Sequence, residues 1–125
     1  MAYEMDTLDV SFIASGSLAA LQYTFVEMSA DNTVQAYSSG PAIGVLQNKP
    51  TDGQTARVRV LGVTRLVASD NETYGSKIGA TTGGQGVMVT SDKDKYYGVC
   101  ISGNATHATA ETSTVLLTGL AYIDV

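Results

Sequence analysis

The chain has 125 residues, of which 44% are hydrophobic and 15% charged, with a formal net charge of −5. This is the length of one ordinary domain, long enough to bury a core without disulfide staples. Only seven Lys and Arg are present, scattered rather than clustered, which argues against direct nucleic-acid binding, because such binding relies on cations to neutralise phosphates.

The dominant hydrophobic period is two, the signature of strands. Met1 to Asp9 precedes the compact pattern and holds Tyr3 and Met5 among acidic residues. Leu8, Val10 and Phe12 then alternate with Thr7, Asp9 and Ser11, as a half-buried strand requires. Residues 1–12 therefore read as an N-terminal arm and first strand, and 13–125 as a single β domain. Ser17–Gln22 could form at most one helical turn. Tyr23–Met28 is a strand, Asp31-Asn32 a turn and Thr33–Tyr37 a short returning strand. Ala42–Leu46 is apolar throughout and is predicted to be buried on both faces. Asn48–Gly53 is a loop with Pro and Gly turn chemistry. Arg57–Leu61 alternates again, and Gly62 reads as a bulge that keeps Val63 and Leu66 facing inward. Gly83–Gly86 is a turn, and Val87–Thr90, Tyr96–Ile101 and Thr114–Ile123 are the later strands.

Short strands and frequent turns predict an all-β fold: one small β-barrel or sandwich of short antiparallel strands with an extended N-terminal arm. The chain also echoes itself. Ile43-Gly44-Val45 followed by Val58–Gly62 matches Tyr97-Gly98-Val99 followed by Val115–Gly119, and the segment ending at Val34 matches the one ending at Val87. This pattern predicts two matching β units closing one barrel.

Residues able to do chemistry do not assemble into a catalytic set. Cys100 sits in an apolar run with no base beside it and reads as a small buried thiol. His107, the single histidine, lies in a polar segment without a nucleophile elbow. Asp92 and Asp94 flank Lys93 but lack the rest of a calcium loop, and one His with one Cys makes no transition-metal set. The sequence implies no enzyme activity, no cofactor and no metal. No apolar run approaches the roughly 18 residues of a membrane span. Acidic residues near the start do not resemble a secretion leader, and the expectation is a soluble protein made in a reducing cytoplasm. Asn71-Glu-Thr and Asn104-Ala-Thr are chance matches to a glycosylation acceptor in a Thr-rich chain. A surface of small neutral side chains suits close packing against other protein, and seven Tyr supply contact area. An N-terminal arm can add as a strand to a neighbour's sheet edge.

Gly40–Pro50, then Asp52-Gly53, then Ala56–Thr64 resembles the central signature of the small capsid decoration (cement) proteins of tailed phages. Leu8–Ala14 is similar to that family's opening strand, and Tyr97-Gly-Val with Val115–Gly119 to its final hairpin. The likeness spans about residues 6–119. It implies a small β-barrel-like protein, made in the host cytoplasm, that binds the outer surface of an assembled phage head. The partner would be the major capsid protein, with copies gathered as trimers at three-fold positions. The matching contact segment runs from Tyr3 to Phe12, with Tyr3, Met5, Leu8, Val10 and Phe12 as candidate capsid-binding residues. The alternative is a small adhesion or carbohydrate-binding β module on a virion or cell surface.

Overall fold

A computed structural model of the chain describes residues 7–69, 72–81, 83–90, 95–103 and 112–122. Among these there is no helix, and nine strands form one continuous sheet: β1 (Leu8–Ala14), β2 (Phe25–Ala30), β3 (Thr33–Ala36), β4 (Ala42–Leu46), β5 (Thr55–Val67), β6 (Lys77–Ala80), β7 (Gly86–Met88), β8 (Lys95–Ser102) and β9 (Thr112–Tyr122). Their order is β1-β3-β2-β4-β5-β9-β8-β6-β7, and an added pairing of β1 with β5 closes the first five into a barrel. The all-β barrel expected from the alternation is present. Ser17–Gln22 is not a helical turn but part of two linked tight turns, Leu21 N to Leu18 O and Thr24 N to Leu21 O.

β4 is buried on both faces, as its unbroken apolar run requires. Val45 faces one core and Leu46 the other. Two strands depart from the expectation. β6 has no counterpart among the predicted strands, because Lys-Ile-Gly-Ala is short and carries little β propensity. β5 continues past Gly62 to Val67, and Thr64 with Leu66, rather than Val63 with Leu66, faces inward. Thr64 tolerates this polar inward position because its hydroxyl accepts from Gln47 Nε2 at 2.8 Å and donates to the Arg65 carbonyl at 2.9 Å.

The internal echo is a structural duplication. Strand order β3-β2-β4-β5 is matched by β7-β6-β8-β9. Phe25 and Val26 pair with Val45 and Gly44; Lys77 and Ile78 pair with Val99 and Gly98. Tyr23 N donates to Leu46 O at 2.7 Å and Leu46 N to Thr24 O at 2.9 Å, and the bonds of Gly75 and Ser76 to Cys100 repeat this at 2.7 and 2.9 Å. Even the left-handed residue recurs, Tyr23 at φ 65° and Gly75 at φ 83°.

The two units do not combine to close the one barrel, as the echo led us to expect; the first closes it alone through β1 and β5, and the second shares β5 and adds the remaining strands, with a single bridge from Ala68 to Gly86 at the matching place. Up to Leu61, β5 pairs with β1. After Gly62 (φ 104°), it pairs with β9 instead. Phe12 and Ile13 face Ala56 and Thr55, just as Leu66 and Val67 face Ser113 and Thr112. Ala14 bridges Val34 in parallel, and Ala68 bridges Gly86 in parallel. The second half of β5 thus does for the second unit what β1 does for the first. This also sets Val34 against Gly86, one residue from the Val87 match that the sequence offers.

The first core fills the barrel with Ala14, Leu18, Val26, Val34, Leu46, Ala56 and Val58. The second joins Leu66, Ile78, Tyr97, Cys100, Val115 and Leu117 to Phe25, Ala42 and Val45 of the first unit. The outer side of β2 and β4 therefore covers one end of the second unit. Across that seam the Phe25 and Tyr97 rings lie 5.1 Å apart, and Tyr97 Oη accepts from Ala42 N at 3.1 Å.

Candidate partner-binding surface

Of the residues expected to meet a partner, Tyr3 and Met5 lie outside the described residues. Leu8, Val10 and Phe12 all fall on β1, which pairs along its length with β5 of the same chain. A carboxylate fixes it there. Asp9 Oδ1 accepts from Arg59 Nε at 2.8 Å and Oδ2 from Arg59 Nη2 at 3.1 Å, a two-pronged contact, with Arg57 Nε 3.5 Å away. The Arg59 hydrogen bonds hold the Asp9 carboxyl below the usual carboxylate range, against the upward push of burial. Arg59 Nη1 also donates to Val63 O at 2.9 Å, so the same side chain spans the point where β5 passes between units.

On its other side β1 pairs with β3 only through Ile13 and Ala14. Among the described residues, Leu8–Phe12 thus carry an open strand edge, which is a natural docking template. Alternation places Leu8, Val10 and Phe12 on the inward side, yet Leu8 is 49% exposed, Val10 36%, and Phe12 half-buried. Around them Leu61, paired with Leu8, is 45% exposed, and Ile43 and Val60 are half-buried at the margin of the first core.

Comparing the two units explains this exposure. Val10, Phe12, Ile43 and Val60 correspond to Thr64, Leu66, Tyr97 and Leu117, through the matched pairings of β1 with β5, of β4 with β5 and of β8 with β9, and Leu8, beyond a register shift in its pairing with β5, stands at the place of Gly62 by count along the strand. All five counterparts are buried, and they lie at the end of the second unit that the first unit covers. Among the described residues, no unit covers the same end of the first unit. Sequence reasoning reached Leu8, Val10 and Phe12 but not Ile43, Val60 and Leu61, which read as core or strand filler. The echo of Ile43-Gly44-Val45 in Tyr97-Gly98-Val99 is the signal that could have found them.

Other groups capable of chemistry are committed to structure. Glu27 is buried, and Oε1 accepts from the backbone N–H groups of Ser38, Ser39 and Gly40 at 2.8, 3.2 and 3.2 Å, while Oε2 accepts from Gln35 Nε2 at 2.9 Å. These bonds, that from Ser38 foremost, keep its carboxyl below the ordinary range and organise the loop between β3 and β4. Cys100 is a buried free thiol whose pKa burial pushes up, away from nucleophilic use. Glu72 is buried; Ser113 Oγ donates to its Oε1, and its Oε2 has no hydrogen-bond partner among the described residues. His107, Asp92 and Asp94 lie outside the described residues. Among those described, no group of three or more His, Cys, Asp or Glu could hold a metal, and no helix is long and apolar enough to cross a membrane.

No protein-family model matches the chain, and no curated protein matches it. Among solved structures, the fold is similar to the crystal structure of the head fiber gp8.5 N base of bacteriophage phi29. The TM-score is 0.64 over 90% of this chain and 95% of that one, at 12% sequence identity. At so low an identity the likeness is one of fold: nearly the whole of this chain shares the architecture of a phage head fiber's base.

Proposed function

We propose that the protein is a capsid decoration protein that binds the outer surface of an assembled phage head and reinforces its lattice. The observation that carries this reading is the apolar end of the first barrel at Leu8, Val10, Phe12, Ile43 and Val60, uncovered among the described residues and lying beside the exposed Leu61 and an open strand edge. Apolar side chains left exposed or half-buried where the same fold elsewhere buries them mark a surface made for a partner. The fold shared with the base of a phage head fiber supports a place on the head. So does the low charge, since few ionic groups need desolvating on contact. The major capsid protein is the partner, and copies grouped as trimers about three-fold positions would make many modest contacts act together through avidity. Tyr3 and Met5 would extend the contact along the strand edge.

The test is co-sedimentation with expanded capsids that lack this protein. Removing residues 1–12 is a poor comparison, because β1 closes the first barrel. The informative pair is the full chain against Val10→Asp, with folding checked by melting. Capture of the full chain and loss of most capture in the variant is expected. Intact capsids that retain none of the full chain would refute the reading.

A further inference from the structure

If the protein decorates a capsid, as proposed, its repeated architecture also constrains the chemistry of the surface it meets there. In the second unit, the end equivalent to Leu8, Val10, Phe12, Ile43 and Val60 is covered by a sheet face: β2 and β4 supply the Phe25 ring, Ala42 and Val45. Polar anchors join that seam. Tyr97 Oη accepts from Ala42 N, the Gly84 carbonyl accepts from Phe25 N at 2.8 Å, and the Tyr23 carbonyl accepts from Val67 N at 2.8 Å. In the first unit the counterpart of Tyr97 is Ile43, and the counterpart of Thr64 is Val10. The asparagine equivalent to Gly84, Asn32, has its carbonyl occupied by Ile13 N at 2.8 Å. The free end therefore keeps the shape of the seam while losing the polar side chains that Tyr97 and Thr64 bring to it.

A second copy of the chain fits this end poorly. The face it would have to offer is the outer side of β6 and β8, the equivalent of β2 and β4. There Lys77 stands in the place of Phe25, with Val99 in the place of Val45. Lys77 Nζ lies 5.7 Å from the centre of the Tyr96 ring, a cation on the face that would have to be buried. Pressing an ammonium against Ile43, Val60 and Val10 would desolvate it with no acceptor opposite.

We propose that the end of the first barrel formed by Leu8, Val10, Phe12, Ile43 and Val60 docks an uncharged, apolar face of β structure in the major capsid protein, held as β2 and β4 hold the second unit. A ring and small aliphatic side chains of the partner lie over Leu8, Val10, Phe12, Ile43 and Val60. The contact needs no ion pair, so capture is insensitive to salt. It also leaves the outer side of β6 and β8 free.

The experiment compares wild type, Leu8→Asp, Leu61→Asp and Lys77→Glu in capture by expanded capsids at low and high salt. Melting of each protein and light scattering of the free chain run alongside. Leu8 and Leu61 are exposed enough that the substitutions leave the fold intact. Each should lower capture at least tenfold with an unchanged melting midpoint, Lys77→Glu should bind as wild type, and salt should change wild-type capture less than twofold. Wild-type capture with undiminished capture of both Asp variants would overturn the docking surface while leaving the decoration reading standing. Capture that collapses in high salt, or in Lys77→Glu, would overturn the apolar chemistry. Self-association of the free chain that Leu61→Asp abolishes would make a second copy the occupant. Absence of any wild-type capture would remove the reading on which the proposal rests.

Discussion

The two units differ most tellingly at one interior position. In the first, Leu18 is buried with Val34 and Ala56 in an apolar core. In the second, Glu72 is buried against their counterparts, Gly86 and Ser113: Ser113 binds one carboxyl oxygen, and a Cβ on Gly86 would fall 2.9 Å from the other and 2.5 Å from Leu66 Cδ2. The three changes belong together, since a glycine makes the room and a hydroxyl supplies the bond. Burial pushes the Glu72 carboxyl above its ordinary value of 4.5, with the Ser113 bond opposing. The folded state then holds this proton more tightly than the unfolded chain does. The stabilisation is complete below the ordinary value of 4.5 and is lost as pH rises through the raised one. Glu72→Gln cannot lose a proton, so it should gain stability relative to wild type as pH rises from acid to neutral. The difference should be on the order of 1–3 kcal/mol, the usual cost of a buried group left short of partners. Denaturant melts of both proteins across that range provide the check, and parallel pH profiles would show that the carboxyl is not confined as described. Glu27 acts in the opposite sense. Its lowered pKa contributes stability above the ordinary value, lost as pH falls through the lowered one, which is why the comparison must be made against the Gln variant and not on wild type alone.

At the scale of strands, the close approach of β4 to β5 is repeated by β8 and β9. A Cβ on Gly44 would meet Arg59 O at 2.3 Å and Val58 Cγ1 at 2.8 Å; on Gly98 it would meet Leu116 O at 2.4 Å and Val115 Cγ1 at 2.9 Å. In both cases the obstacle includes backbone, so a ladder must shift to admit a methyl group. Gly44→Ala and Gly98→Ala should each cost about 2–3 kcal/mol, within the range for overpacked cores, and by similar amounts. Gly40→Ala, where the nearest atom is 3.7 Å away, should stay within about 0.5 kcal/mol. Unequal losses at Gly44 and Gly98 in chemical denaturation would break the equivalence of the units. That equivalence was partly legible in the sequence, because glycine flanked by apolar residues is a pattern the eye can match. Alternation likewise gave β1 to β4 and the two-faced burial of Ala42–Leu46. Two things escaped it. β6 has only Ile78 as a strong strand former, and Gly62 reads as a local bulge when it is the point where one strand leaves one unit for the other. The candidate surface was legible only on β1, since a half-buried Val60 or Ile43 differs from a core residue by what lies opposite, which alternation does not record.

For the molecule as a whole, the shared strand decides whether the two units behave as two bodies or one. The core of the second unit is not self-contained: Phe25, Ala42 and Val45 come from the first. The seam also carries backbone bonds, Phe25 N to Gly84 O and Val67 N to Tyr23 O, both 2.8 Å. Losing the first unit would expose Tyr97, Leu66 and Leu117 and leave the buried polar groups of the seam unpaired, a penalty comparable to the stability of a small domain. Dependence also runs the other way, since unfolding the second unit removes the register that Gly62 and the second half of β5 impose on the first half. The described residues should therefore unfold in a single transition, with equal calorimetric and van't Hoff enthalpies. Gly98→Ala, though it lies in the second unit, should move the whole transition, as followed both by the tyrosines of the second unit and by amide exchange in β1. Two resolved transitions, or a β1 that exchanges independently of Gly98→Ala, would mean that the units are joined but not coupled. Coupling matters for the proposed role: a rigid body that docks through the end of its first unit passes force from the shell to the far end of its second, whereas two loosely linked units would reinforce nothing beyond the contact itself.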